Sequence, residues 1–241
     1  MKSLVHTLHV GLWHMKRALL KGLARTAGSV RSGVRACALR GGVAVLRTRG
    51  QGRLPGPTVL RWLEYGWDNG GWPASPEYLQ ETARLAAATP GTVVEAGSGL
   101  SSIVLSYVVR ADQPIVSFEH HRQWADRVAR YVSRRGSYRV LTRPLTPREG
   151  YDWYAVEPSD LPAGITLAVI DGPPGSTRGG RYGALPELAE HLAPGAILLL
   201  DDTARPQEQQ AMDRWAAEYG TTSEVRETGD KPFAIIRLPD A

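Results

Sequence analysis

The sequence predicts an α/β domain built on a doubly wound, seven-stranded mixed sheet, preceded by a basic amphipathic helical arm. Three observations predict it. From residue 92 onward, short runs rich in Val, Ile and Leu alternate with helical patterns, as strands of a parallel sheet covered on both faces do. The chain closes with two extended runs too close together for a crossover helix, so the last strand pair is antiparallel. At 241 residues with 42% apolar residues, the chain is long enough for one substantial core and an appendage.

The arm comes first. Residues 1–50 hold ten Lys or Arg and no acid, which leaves 19 basic against 24 acidic residues in the remainder. The net charge of +5 therefore belongs to the arm, and the domain itself does not read as a nucleic-acid binder. Leu4, Leu8, Leu12, Met15, Leu19 and Leu23 recur at helical spacing, with Lys2, Lys16, Arg17, Lys21 and Arg25 largely off that stripe. Such a helix suits peripheral contact with an anionic membrane or a protein through residues 1–25, or packing on its own domain. No uncharged apolar run approaches the ~18 residues that span a bilayer. A lone cysteine, Cys37, excludes an intrachain disulfide framework and fits a reducing, cytoplasmic setting. The sequence leaves a homodimer open.

Residues 48–58 are rich in Gly and Pro and read as a linker. Within residues 51–74, Trp62, Trp67 and Trp72 surround an Asn-Gly-Gly turn and read as a lid over a site or as a hydrophobic plug. Ser75-Pro76-Glu77 opens a helix running to about Thr89, with Ser as N-cap and Pro at the first helical position, and begins the domain at residues 75–241. There follow the strand "TVVEAG", a helix from Ser101 to Arg110, the strand "PIVSFEH", a helix from Arg122 to Arg135 and the strand "YRVLTRPL". A loop carrying "YDWY" leads to the strand "ITLAVIDG", the helix "RYGALPELAEHL", the strand "AILLLDD", a helix from Pro206 to Tyr219, and the closing strands "SEVRETG" and "FAIIRLP".

In a doubly wound sheet, ligands bind outside the carboxyl ends of the strands. Four strands end in acids there: Glu95, Glu119, Asp171 and the pair Asp201-Asp202. Gly97-Ser98-Gly99 forms a turn at a helix N-terminus, where backbone N–H groups can meet an anion. Glu119 follows Gly99 by 20 residues, the distance at which a second-strand acid accepts hydrogen bonds from ribose hydroxyls. Both features suit a nicotinamide-dependent oxidoreductase, but Ser102 stands where that fingerprint needs its third glycine.

An acid two residues ahead of the turn shifts the choice. "VVEAGSGLSS", "IVSFEHH", "LAVIDGPPG" and the closing strand pair, in this order, resemble the class I S-adenosylmethionine-dependent methyltransferases, with their Rossmann-like sheet, over roughly residues 75–240. The resemblance implies that Gly97, Ser98, Gly99 and Ser101 shape the pocket for S-adenosyl-L-methionine. It also implies that Glu95 orients the cofactor's amino end, that Glu119 binds its ribose, that His120 lies near its adenine, and that Asp171 contacts it. Asp171 with Asp201 and Asp202 resembles the metal set of the catechol-type O-methyltransferases, which implies Mg²⁺ as a candidate cofactor and Asp171 and Asp202 as catalytic residues. The alternative is that Asp201 and Asp202 cap the following helix. That subclass carries a catalytic lysine after the fourth-strand acid, whereas this chain has "GPPGSTR", so the base is not identified.

The implied activity is O-methylation of a small molecule or glycan. A non-catalytic module of the same fold, held at a membrane by the arm, is a further alternative. Trp67, Trp72, Arg178 and Tyr182 are the candidate substrate contacts, with Arg178 suited to an anionic group.

Overall fold

The computed structural model describes residues 28–68, 74–134, 136–228 and 231–239. Strands β1 (Thr92–Ala96), β2 (Ile115–Glu119), β3 (Tyr138–Thr142), β6 (Ile165–Ile170), β7 (Leu192–Leu200), β8 (Thr222–Arg226) and β9 (Phe233–Arg237) form one seven-stranded sheet. Its order is β3-β2-β1-β6-β7-β9-β8. The first five strands in that order run parallel, and β9 pairs antiparallel with both β7 and β8. The chain winds outward from β1 to β3, then returns to lay β6 on the other side of β1. The strand order thus reverses between β1 and β6, where such sheets open a crevice at their carboxyl ends.

Period-two alternation divides the core. Val93, Leu167, Val169, Leu199 and Ile235 join one buried cluster, and Val94, Ala96, Ile170, Leu198 and Leu200 join the other. The first is covered by α1 (residues 28–49), α2 (Pro57–Trp67), α3 (Pro76–Ala88), α4 (Leu100–Val108) and α5 (Arg122–Ala129); the second faces α6 (Ala184–Leu188) and α7 (Pro206–Tyr219). Ser75 caps α3 by accepting a hydrogen bond from the Tyr78 N–H at 3.1 Å, as its sequence predicts.

Several elements differ from the sequence reading. Residues 57–67, read as part of a linker and Trp-rich lid or plug, are the helix α2, with Pro57 at its first position and Leu60, Leu63 and Trp67 on its buried face. The loop carrying "YDWY" contains strand β5 (Asp152–Tyr154), which forms a hairpin with β4 (Leu145–Pro147). Helix α5 ends at Ala129, and α6 is only five residues long, followed by a 3₁₀ turn at Ala189–His191. The leucine stripe of residues 1–25 lies outside the described residues.

Helix α1 places Leu39, Val43 and Leu46 in the first buried cluster, so this part of the basic segment shares the domain's core. It crosses α2 with no side chain between the backbones at Gly66. A Cβ there would stand 2.5 Å from the Leu39 nitrogen and 2.7 Å from the Arg35 carbonyl oxygen. Gly66→Ala is therefore expected to push the helices apart and destabilise the fold by about 1–3 kcal/mol, lowering the thermal midpoint in a circular-dichroism melt.

Candidate active site

The carboxyl ends of β1, β2, β6 and β7 border a cavity of about 690 Å³. Its floor is the Gly97–Gly99 turn. Gly97 has φ +85°, and a Cβ on it would lie 2.8 Å from the Gly172 nitrogen. Glycine is needed for both the left-handed conformation and the backbone contact. Gly172 is pressed in turn against the Tyr154 hydroxyl, so the turns after β1 and β6 meet at the crevice with little room between them.

Glu119, at the end of β2, faces this turn. One of its oxygens accepts from the Ser98 N–H at 3.1 Å and the Ser98 hydroxyl at 3.0 Å, the other from the His121 N–H at 2.8 Å. His120 Nδ1 is 3.1 Å from that second oxygen. Burial pushes the Glu119 carboxyl up, but hydrogen bonds from the His120 side chain and the His121 and Ser98 N–H groups outweigh it and hold the pKa below the usual glutamate value. The group is an anion at the cavity wall.

Glu95 does not lie on that wall. It alternates with Val94 and Ala96, which places its side chain under the first turn of α4, fully buried. There one oxygen accepts from the Ser102 hydroxyl at 2.5 Å and from the Ser117 hydroxyl of the neighbouring strand. Ser101 is likewise buried and turned toward this carboxyl. Glu95 and Ser101, expected at the cofactor, are buried and do not line the cavity; Glu95 instead braces the Ser102 hydroxyl, which accepts from the Gly99 N–H at 2.8 Å, and the reason is the strand's two-residue period.

Asp171, Asp201 and Asp202 come together as the sequence suggests, with oxygens within 4.8 Å of one another. Between them lies Arg181, which the sequence reading missed. Its Nη2 is 3.1 Å from Asp171 Oδ1 and 2.8 Å from Asp202 Oδ2, and Nη1 donates to the Asp201 carbonyl at 2.7 Å. Arg205 adds a second pair to Asp202 Oδ2 at 2.8 Å. Asp202 itself has φ +58°, a left-handed conformation that Asp tolerates better than most residues. Burial, then the neighbouring Asp171 and Asp202 charges, drive the Asp201 pKa far up. Burial also raises that of Asp171, against the pull of Arg181.

The expected substrate contacts fare unevenly. Trp67 lines the cavity but is almost wholly buried, its ring edge-on to Trp124 at 5.3 Å. Trp124, also missed in the sequence, lines the cavity and donates from its indole to the Ser98 carbonyl at 2.5 Å. Arg178 points away: it pairs with Asp152 at 2.8 Å and donates to the carbonyls of Arg148 and Tyr151, pinning the hairpin. Tyr182 donates to Glu218 at 2.6 Å under the Arg214 guanidinium, away from the cavity-lining residues. Trp72 lies outside the described residues. His121, Tyr154, Arg205 and Lys231 also line the wall, with Pro174, Gly175 and Ser176 of "GPPGSTR"; His121 within "IVSFEHH" and Tyr154 within "YDWY" carried a signal in the sequence, whereas Arg205 and Lys231 did not.

Residues 94–203 match a family described as a methyltransferase domain. Over this stretch the chain is similar to methyltransferase domains. The chain is similar in fold to an O-methyltransferase from Bacillus cereus in complex with SAH (TM-score 0.56, 14% identity, 76% of this chain and 90% of that one). It is similarly related to cofactor-bound Rv0187 from MTB (TM-score 0.56, 16% identity, 85% and 90%). No curated protein matches the chain. No helix among the described residues is long and apolar enough to cross a membrane.

The buried Glu95 gives the protein a pH signature. Burial raises its pKa from 4.5 to about 7 against the pull of the three serines. The folded state thus keeps a proton that the unfolded chain releases, so stability falls as pH rises from 4.5 to about 7 and is level beyond. At about 1.36 kcal/mol per pKa unit the loss is roughly 3 kcal/mol. Glu95→Gln is expected to flatten that segment of a stability-against-pH curve measured by urea unfolding.

Proposed function

We propose that the protein transfers the methyl group of S-adenosylmethionine to a hydroxyl oxygen of a small molecule in a cytoplasmic setting. The observation that carries this reading is the anionic Glu119 fixed 3.1 Å from the Ser98 N–H at the mouth of the Gly97–Gly99 turn. A carboxylate so placed accepts hydrogen bonds from a ribose diol and disfavours a pyrophosphate. In this reading Gly97, Ser98 and Gly99 pass under the methionine part, Glu119 takes the ribose hydroxyls, and His120, with Trp124 behind the turn, borders the adenine. A cavity of about 690 Å³ is in the range of small-molecule sites, which favours a compact acceptor over an extended glycan. That the Bacillus cereus neighbour is an O-methyltransferase supports oxygen as the acceptor atom.

Asp171 keeps 27% of its side chain exposed and lines the cavity beside the turn. In the transfer, the acceptor O–H gives its proton to the Asp171 carboxylate while the oxygen forms a bond to the methyl carbon. The carbon–sulfur bond breaks and its electron pair stays on sulfur, leaving the neutral thioether S-adenosylhomocysteine. Holding the acceptor oxygen in line at about 3 Å supplies much of the rate, and the partly buried Asp171, its pKa raised by desolvation, supplies a carboxylate more basic than one in water. Asp171, Asp201 and Asp202 offer the oxygen donors that a hard ion takes. The facing oxygens of Asp171 and Asp202, however, already receive N–H groups from Arg181 and Arg205. The set as built does not fit Mg²⁺, and no step above passes through one.

Calorimetric titration tests the cofactor assignment. S-adenosylmethionine and S-adenosylhomocysteine are expected to bind the wild type saturably. Glu119→Ala is expected to weaken both about tenfold or more, the loss of roughly 1.4 kcal/mol or more from hydrogen bonds to a charged group. Wild-type protein that binds neither would overturn the reading.

A further inference from the structure

We propose that Arg181 is the resident cation of the carboxylate cluster, standing where a related site would place a divalent ion, and that methyl transfer here is independent of metal. The inference deepens the methyltransferase reading and rests on it for the position of the acceptor. Arg181 is 2% exposed, and its contacts reach the carboxylates of Asp171 and Asp202 and the backbone of Asp201. Nη2 bridges Asp171 Oδ1 and Asp202 Oδ2 at 3.1 and 2.8 Å and also donates to the Asp171 carbonyl at 3.0 Å. Nη1 donates to the Asp201 carbonyl at 2.7 Å, and Nε is 3.8 Å from Glu208 Oε1.

A hard ion between Asp171 and Asp202 would coordinate the same two oxygens at about 2.1 Å, and so would displace the guanidinium that now takes their lone pairs. Arg181 has little room to leave. Its chain neighbour Gly180 lies so close to α7 that a Cβ there would stand 2.9 Å from Gln207 Cβ, and Glu208 closes the cluster behind the guanidinium. Arginine, moreover, stays charged at any physiological pH, so the site's cation is permanent. It also orients: fixed by Nη2 at its inner oxygen and its carbonyl, Asp171 turns the rest of its carboxylate toward the cavity. Arg181 is thus a positioning residue. An acceptor held beside it needs no pair of oxygens for chelation, and a single hydroxyl suffices.

The experiment uses full-length protein and Mn²⁺, whose free aquo ion is read directly by electron paramagnetic resonance. Wild type is expected to leave the free Mn²⁺ signal unchanged. Arg181→Gln, which removes the charge and empties the space between the acids, is expected to deplete the signal, with excess Mg²⁺ restoring it. Saturable uptake of one Mn²⁺ per chain by the wild type, lost in Asp202→Asn, would overturn the assignment. So would an Arg181→Gln protein with a native melting transition that takes up no Mn²⁺. Should that variant not fold, the wild type and Asp202→Asn still decide the question. S-adenosylmethionine titrated into the same wild-type samples is expected to bind equally with Mg²⁺ or with EDTA. Absence of cofactor binding in both would overturn the methyltransferase reading, while the Mn²⁺ result, which needs neither cofactor nor acceptor, judges Arg181 alone.

Discussion

The buried guanidinium of Arg181 ties together the ends of β6 and β7, and the active end of the sheet depends on it. Two neighbouring parallel strands finish in acids, Asp171 and Asp201-Asp202, whose carboxylates lie within 4.8 Å of one another. Left alone, that many like charges in a buried place would repel one another and lose their hydration. One arginine answers the side chains and the carbonyls together, giving N–H groups to Asp171 and Asp202 and to the carbonyls of Asp171 and Asp201. Arginine suits this because its planar fork offers five donors in fixed geometry, where lysine offers a point charge. Removing one partner from a buried ionic set typically costs about 3–5 kcal/mol, because an unpaired charge is left behind.

The cofactor end of the crevice is shaped by a different constraint, the near contact of Gly97 with Gly172. The turns after β1 and β6 approach until a single Cβ would not fit between them, which draws Asp171 close to the Gly97–Gly99 turn. Two acids near this turn then serve opposite ends. Glu119 is held ionised by N–H donors and faces the cavity, whereas Glu95, one strand away, accepts only hydroxyl groups under α4 and has its pKa raised to about 7. The same residue type acquires two behaviours from burial and donor type. The rim is therefore no uncompensated row of negative charge, since Arg181, Arg205 and Lys231 share the cavity with Glu119 and the aspartates.

The fold was legible because its signal is periodic and long: strands such as "TLAVI" and "ILLL" are buried on both faces and read as continuous apolar runs, and Ser75-Pro76 and Arg205-Pro206 mark helix starts. The strand-end acids were legible too, because sheet topology dictates that strand ends share a rim. Direction was not. A position such as 95 reads as rim or floor according to a two-residue alternation that one strand's sequence leaves undetermined when both faces are buried. Arg178 and Arg181 stand three residues apart in the same glycine-rich segment, and nothing local distinguishes the one that pins a hairpin from the one that enters the acid cluster. Trp124 sits on a helix face that reads as core packing, and is core packing, yet its indole N–H also fixes the Ser98 carbonyl.

That double role of Trp124 connects the N-terminal helices to the site. Helix α1 packs through Leu39 against the bare backbone of Gly66, and α2 ends one residue later at Trp67. Trp67 meets Trp124 edge to face at 5.3 Å, with the Arg127 guanidinium 4.2 Å from its ring centroid, a geometry that favours both aromatic and cation contacts. Trp124 in turn holds the carbonyl of the middle residue of the glycine turn. Each link is a direct contact, so residues 28–67 act as one more layer of the domain and reach the candidate cofactor turn through two tryptophans. Loss of this layer would remove the wall that Trp67 gives the cavity and the packing that orients Trp124, whereas Glu119, Asp171 and Asp201 stand at the ends of β2, β6 and β7. The charge arrangement is therefore a property of the sheet, and the shape of the cofactor end is a property of the sheet together with the helices that precede it.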